Sequence, residues 1–271
     1  MTRTVTKYLI FLVIFLCACS SVTKTDQEKE RELIVSNNIK SITEYATILH
    51  LGIEKKEQLH RIKLFNTKGF IIKETIFSAD DSIESIVTYE YDKDDNLVLS
   101  TSMNADSGIL FIETRTYDEK NNRKELYFYL PDGTYKYRNS ASWDNKGRMI
   151  ELDWYWTDGL SAKITYAYDG MKMIEKAEYN SAEKLQFKWR YKYDARENII
   201  QAIQYYPNNI INSKITYEYN KYNQMIKQSY YNGESIHKMV TFAYNKSNLL
   251  SAKTEYSPSG RISIKYRNQY E

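Results

Sequence analysis

Cysteine is almost missing from this 271-residue chain: there are two, Cys17 and Cys19, both at the start. No disulfide can staple the body of the protein, so its fold must stand on its own core. Long apolar runs are missing as well. The longest, Leu9 to Leu16, is far short of the roughly 20 residues that a spanning helix requires. The three histidines, His50, His60 and His237, lie far apart with no cysteine or carboxylate at ligand spacing. A metal centre needs such a cluster, so neither a metal nor another cofactor is expected. The sequence contains no G-x-S-x-G, no H-E-x-x-H and no glycine-rich phosphate loop, and an enzyme is not expected. A formal net charge of +3 gives no electrostatic reason to expect nucleic acid as a partner.

The N-terminus is organised in three parts. Arg3 and Lys7 precede the apolar stretch; Cys17, Ala18 and Cys19 follow it, and the chain then turns polar. A charged start, a short apolar core and small residues are the marks of an export signal. The run Leu16-Cys17-Ala18-Cys19 resembles a bacterial lipobox. That resemblance implies a diacylglyceryl group on the Cys19 thiol, cleavage before Cys19 and acylation of the new amino group. Several acyl chains make a stable anchor where one alone binds marginally. The expected divisions are a signal peptide over 1–18, a lipidated Cys19 with a polar tether over 19–33, and a repeat domain over 34–271. The mature chain would carry 36 basic and 35 acidic residues. Its place would be the cell envelope, with Ser20 leaning towards the outer membrane by resemblance to sorting rules. Ser20 to Arg31, rich in charge and nearly free of apolar residues, reads as a flexible tether of at most about 40 Å.

Beyond the tether an aromatic followed by Asp or Asn recurs at Phe65, Tyr91, Tyr117, Trp143, Tyr168, Tyr193, Tyr219 and Tyr244, every 25 or 26 residues. A fixed period of this size signals a repeat architecture. Within units, apolar and polar residues alternate, as in Trp189, Tyr191, Tyr193 and Val240, Phe242, Tyr244. Period two with aromatic and β-branched residues means half-buried strands. Four residues after the aromatic stand Gly69, Asp95, Asn121, Gly147, Asn223 or Asn248, types that tolerate the positive φ of a short hairpin loop. Pro131, Pro207 and Pro258 fall at one shared repeat position, which suits a second turn. The expectation is an all-β antiparallel meander of about eight two-strand units, forming an extended, twisted or curled sheet. Residues 38–49 are expected to add a strand, with a helix over 27–48 as the alternative. Arg261 to Tyr270 is expected to close the array.

The segment Trp143-Asp144-Asn145-Lys146-Gly147-Arg148-Met149 is similar to the Y-D-x-x-G-R-L core of YD (Rhs-type) repeats. Members of that family build β-sheets that coil into shells around toxin cargo. This chain departs from them in its few units and longer period, and no extra C-terminal domain is expected. The resemblance therefore implies the sheet-forming unit and leaves the shell function open.

The 26 tyrosines and 4 tryptophans pose the functional question. Alternation would place most rings on one buried face. Trp154, Tyr155 and Trp156, being consecutive, must occupy both faces of their strand, and they form the candidate aromatic contact surface for a protein or glycan partner. Asp92 to Asn96 has the flavour of a calcium loop but falls on a repeat turn and lacks the required Gly and distal Glu. The functional expectation is a membrane-anchored, non-enzymatic binding or scaffold module, held through lipid on Cys19. The alternative is an accessory or shell-like component of a secreted effector.

Overall fold

A computed structural model describes residues 26–50, 53–157 and 159–271. A helix, α1 (Asp26–Ser36), is followed by β1 (Ser41–His50), β2 (Ile53–Glu54), β3 (Gln58–Phe65), β4 (Ile71–Phe77), β5 (Ile83–Tyr91), β6 (Leu97–Met103), β7 (Ile109–Tyr117), β8 (Arg123–Tyr129), β9 (Tyr135–Trp143) and β10 (Met149–Trp156). Then come β11 (Gly159–Asp169), β12 (Lys172–Asn180), β13 (Leu185–Tyr193), β14 (Ile199–Tyr205), β15 (Ile211–Tyr219), β16 (Met225–Asn232), β17 (Ser235–Tyr244), β18 (Leu250–Tyr256) and β19 (Ile262–Tyr270). Eight hairpins, β3–β4 through β17–β18, are the eight repeat units.

The sheet is not open. β1 pairs antiparallel with β3 on one side and with β19 on the other, so that β1 and β3 to β19 form a closed antiparallel barrel of 18 strands. This corrects the expectation of an extended or curled sheet. The deciding strand lies outside the repeat, and nothing in a hairpin period reveals that a strand before it will pair with the strand after it. α1 occupies part of the stretch expected to be a tether, and the strand that follows starts at Ser41. Both readings of residues 27–49 therefore hold in part, with helix first and strand after.

Following facing residues once round the ring returns to β1 displaced by roughly as many residues as there are strands. Equal shear and strand number corresponds to a strand tilt of about 36°. With neighbouring strands about 4.8 Å apart, a circular ring of this kind measures about 33 Å between opposite backbones.

The turns on the two rims share one design. On the first rim Asp95 donates its N–H to the Asp92 carbonyl at 3.1 Å, and Asp92 donates to Asn96 at 2.9 Å, with Asp95 at φ 65°. This is a three-residue loop ending in a left-handed residue. All six residues expected there adopt positive φ, and Glu197 does the same at φ 69°. The fifth unit is shorter, with a two-residue loop at Gly170 and Met171. The aromatic-Asp/Asn pair now has a reason. In seven turns the Asp or Asn side-chain oxygen accepts backbone N–H groups two and four residues on, as Asp118 does from Lys120 and Asn122, both at 2.9 Å. On the second rim, Pro131, Pro207 and Pro258 each sit just after the residue whose carbonyl closes the turn, where their fixed φ is already correct.

α1 rests against the first rim. Ile34 is buried, and the Arg31 guanidinium lies 4.6 Å from the Phe70 ring centroid. Gly69 is wedged beneath the helix: a Cβ there would stand 2.8 Å from Val35 Cγ2 and 2.9 Å from the Arg31 carbonyl oxygen.

Candidate binding faces of the barrel

Facing residues of paired strands share a face, so the register separates the wall into two surfaces. One carries the aromatic rows. Tyr191 faces Ala202, Ala202 faces Ile215, and Tyr217 faces Gln228, which faces Val240. Two apolar clusters lie here. Met149, Leu152 and Ile164 pack with Trp143, Trp154 and Tyr166, and Tyr191, Ala202 and Tyr217 pack with Trp189, Tyr193 and Ile215. Desolvation pushes the phenol pKa up to about 12 at Tyr166 and Tyr217, and upwards at Tyr137 and Tyr191. Tyr155, on the other face, stands in much shallower surroundings. A side chain on the concave side of a wall has protein around it on most sides, whereas one on the convex side has protein only behind it. The aromatic rows therefore line the lumen.

The lining is not uniformly apolar. Between β3 and β7 it holds ion pairs: Arg61 with Glu74 at 3.0 Å and Arg115 with Glu113 at 2.7 Å. Tyr89 donates its hydroxyl to Glu74 at 3.1 Å. On β12, Lys176 faces Trp189, and burial lowers its pKa, while burial raises that of Glu178.

The opposite, outward face is polar. Lys163 pairs with Glu151, Arg138 with Glu125, Arg190 with Glu175 and Lys227 with Glu218. Tyrosines stand at or next to the ends of β8, β10, β12, β14, β16 and β18 on this side, and Tyr45 of β1 faces the same way; cations from neighbouring strands cover several of these rings. Arg138 lies 4.0 Å from the Tyr155 ring centroid, Lys214 lies 4.1 Å from Tyr231 and Arg267 lies 4.2 Å from Tyr45. Such contacts contribute about 0.5–1 kcal/mol each at exposed sites. Charged side chains thus sit in mid-strand on both faces, and the strands are mostly 7–9 residues long. A membrane barrel needs an outward apolar band. On this wall Arg138, Lys163 and Arg190 stand in mid-strand on the outward face, where that band would run.

The predicted contact residues divide between the faces. Trp154 and Trp156 point inward and pack on Tyr137, with centroids 5.5 Å and 5.4 Å away. Neither tryptophan is exposed, so they form no outward row. Tyr155 points outward beneath Arg138 and donates to Asp153 Oδ2 at 3.2 Å. Cys19 lies outside the described residues. Among the described residues no group of three or more His, Cys, Asp or Glu is placed to hold a metal ion. Asp92, the first residue of the calcium-like run, is occupied by the turn, and the backbone N–H of Asn96 is the largest influence holding its carboxyl below the usual range.

Sequence reasoning missed a concavity on the outward face of β12 to β14. It has a volume of about 490 Å³ and is lined by Glu175, Arg190, Lys192, Gln201, Ile203 and Tyr205, with Ile174 and Tyr191 beneath. Its signal was present in the repeat, where the outward positions of β13 read Lys188, Arg190, Lys192 opposite Tyr205, Ile203, Gln201.

Among known proteins, no family model and no curated sequence matches the chain. Solved structures do show similarity. A porin-like protein from Bacteroides uniformis is 11% identical, with 86% of this chain and 98% of that one covered and a TM-score of 0.48. A porin-like protein from Bacteroides vulgatus is also 11% identical, with 73% and 97% covered and a TM-score of 0.40. A TcdB2-TccC3-Cdc42 structure is 13% identical over 78% of this chain, at a TM-score of 0.36, and this chain covers 13% of the one it matches.

Proposed function

We propose that the protein is a non-enzymatic binding or scaffold module of the cell envelope, held at a membrane by lipid on Cys19, with the polar outward face of the barrel as its working surface. The observation that carries this reading is the distribution of charge. Arg138, Lys163 and Arg190 on the outward face would each cost about 2–4 kcal/mol at the midplane of a bilayer. A barrel with such a wall stands in water, and a lipidated Cys19 gives it the membrane attachment that its strands cannot. The lipobox resemblance supplies that attachment, and Ser20 supplies the lean towards the outer membrane.

The shell-like alternative finds less support. A lumen about 33 Å between backbones narrows to roughly 20 Å once side chains line it, whereas a folded domain of 100 residues is itself about 34 Å across. Folded cargo does not fit.

Expression in a bacterial host tests the anchor. The mature protein should begin at Cys19 with the mass of its acyl chains and fractionate with membranes, and Cys19→Ala should abolish both. A mature form lacking acyl mass, or a Cys19→Ala variant that still partitions into membranes after salt washing, would overturn the reading.

A further inference from the structure

The outward face of β12 to β16 differs from the rest of the wall. Register places Lys188, Arg190 and Lys192 of β13, Lys214 of β15 and Lys227 of β16 on it, with Glu175 and Glu218 as the acids of these strands on that side. Arg190 Nε meets Glu175 at 3.1 Å, and Lys227 Nζ meets Glu218 at 2.8 Å. Lys188 and Lys192 have no acid at ion-pair distance among the described residues, and Lys192 is exposed beside the concavity. The chain as a whole is close to neutral, so three surplus cations on five neighbouring strands make a local positive field. Tyr205 lies in the same hollow, its ring centroid 5.6 Å from the Arg190 guanidinium carbon, and the Gln201 amide and the Ile203 side chain complete the floor.

We propose that this hollow binds an acidic glycan, a chain of sugars carrying carboxylates. The inference rests on the outward face being the working surface. A planar guanidinium and a nearby ammonium receive a carboxylate by charge-assisted hydrogen bonds. Tyr205 and Ile203 offer flat apolar area to the C–H face of a sugar ring. Gln201 can donate and accept, and Glu175 can accept from hydroxyls. The hollow is open and shallow, which admits a polymer from the side. Tyr179, next to the end of β12, presents a further ring on the same face.

The test uses the mature protein purified in detergent, so that binding is read independently of anchoring. An oligogalacturonate hexasaccharide and a neutral maltohexaose are titrated by calorimetry and by chemical-shift mapping. The uronate should bind, weaken with salt and perturb Lys192 and Gln201, while the neutral sugar binds at least tenfold more weakly. Lys192→Gln with Lys188→Gln should lower uronate affinity about tenfold with no change in thermal midpoint. Tyr205→Phe, which keeps the ring, should bind as the parent does. No uronate binding, equal binding of the two sugars, or unchanged affinity in the double variant would each overturn the proposal. None of these results bears on whether Cys19 is lipidated.

Discussion

The Tyr193 hydroxyl donates to the main-chain carbonyl of Met173, twenty residues earlier, at 2.7 Å. Met173, the second residue of β12, lies beside a β-bulge, where the register with β11 slips by one residue and a ladder group loses its partner. The phenol satisfies it. The same bond recurs round the first rim. Tyr91, Tyr117, Tyr168, Tyr219, Tyr244 and Tyr270 and the indole of Trp143 each reach the first residue of the preceding even-numbered strand, at 2.5–3.0 Å. Phe65 has no donor, and its neighbour is β1, which no repeat hairpin precedes. The repeat aromatic is therefore both a wall filler and a latch.

Tyr193→Phe should accordingly cost about 1 kcal/mol, the worth of one such bond and of the carbonyl left behind. Urea unfolding of the variant against the parent measures it. Phe65→Tyr gains no such partner and should leave the midpoint unchanged. Equal effects at the two sites would refute the latch.

Alkali should expose the aromatic lining. Folding raises the pKa of Tyr91, Tyr166 and Tyr217 to about 12, chiefly by desolvation, from an ordinary value near 10. A raised folded value contributes stability that is complete below the unfolded pKa and disappears as pH climbs through the folded one. Stability should therefore be flat to about pH 10 and fall between 10 and 12, with tyrosinate absorbance rising as the barrel opens. A tyrosine titration complete near pH 10 in the folded state would contradict the assignment.

Acid should loosen the turns. Hydrogen bonds from Ser82 and Ser78 hold the Asp80 carboxyl at about 2, and those from Asn122 and Asn198 lower Asp118 and Asp194. A depressed folded value contributes stability above the unfolded pKa that is lost as pH falls through the folded one. The midpoint of thermal unfolding should drop between about pH 4 and pH 2. Asp118→Asn keeps the accepting oxygen, as Asn66 and Asn220 show, and should blunt the drop. Asp118→Ala should lower stability at all pH values.

Gly69 and Gly133 share a positive φ but not the same surroundings. Asn adopts this conformation at Asn121 and Asn223, so backbone strain alone does not forbid it. A Cβ at Gly133 meets nothing within 4 Å, whereas one at Gly69 strikes Val35 and Arg31 of α1. Gly133→Asn should be neutral to within about 0.5 kcal/mol, and Gly69→Asn should cost about 1–3 kcal/mol by forcing the helix off the rim. Proteolysis within residues 26–36 would rise in the second variant alone.

Much of the wall was legible in the sequence because hairpins are local. The left-handed positions, the proline turns and the alternation that places Trp189, Tyr191 and Tyr193 together all follow from periods and residue types. Glu197 was not legible, since nothing in a glutamate advertises positive φ, and its turn is set by Asp194 before it. Alternation required Trp154, Tyr155 and Trp156 to divide between the two faces but did not say which of them would face the lumen, because that depended on closure. The hollow at Arg190 was missed because it joins three strands whose outward residues are scattered through thirty positions of sequence.

Closure is the central claim, and a cross-link tests it directly. Thr43 of β1 faces Gln269 of β19, and facing antiparallel residues have Cα atoms about 4.5–5.5 Å apart, within disulfide range. With Cys17 and Cys19 the chain's own two cysteines, the added pair reports cleanly. Thr43→Cys with Gln269→Cys should oxidise to an intramolecular bond in high yield, detected as a faster-migrating band that reduction reverses. An open sheet would leave those two residues at opposite ends of the array, and free thiols at both positions in the folded protein would contradict the barrel.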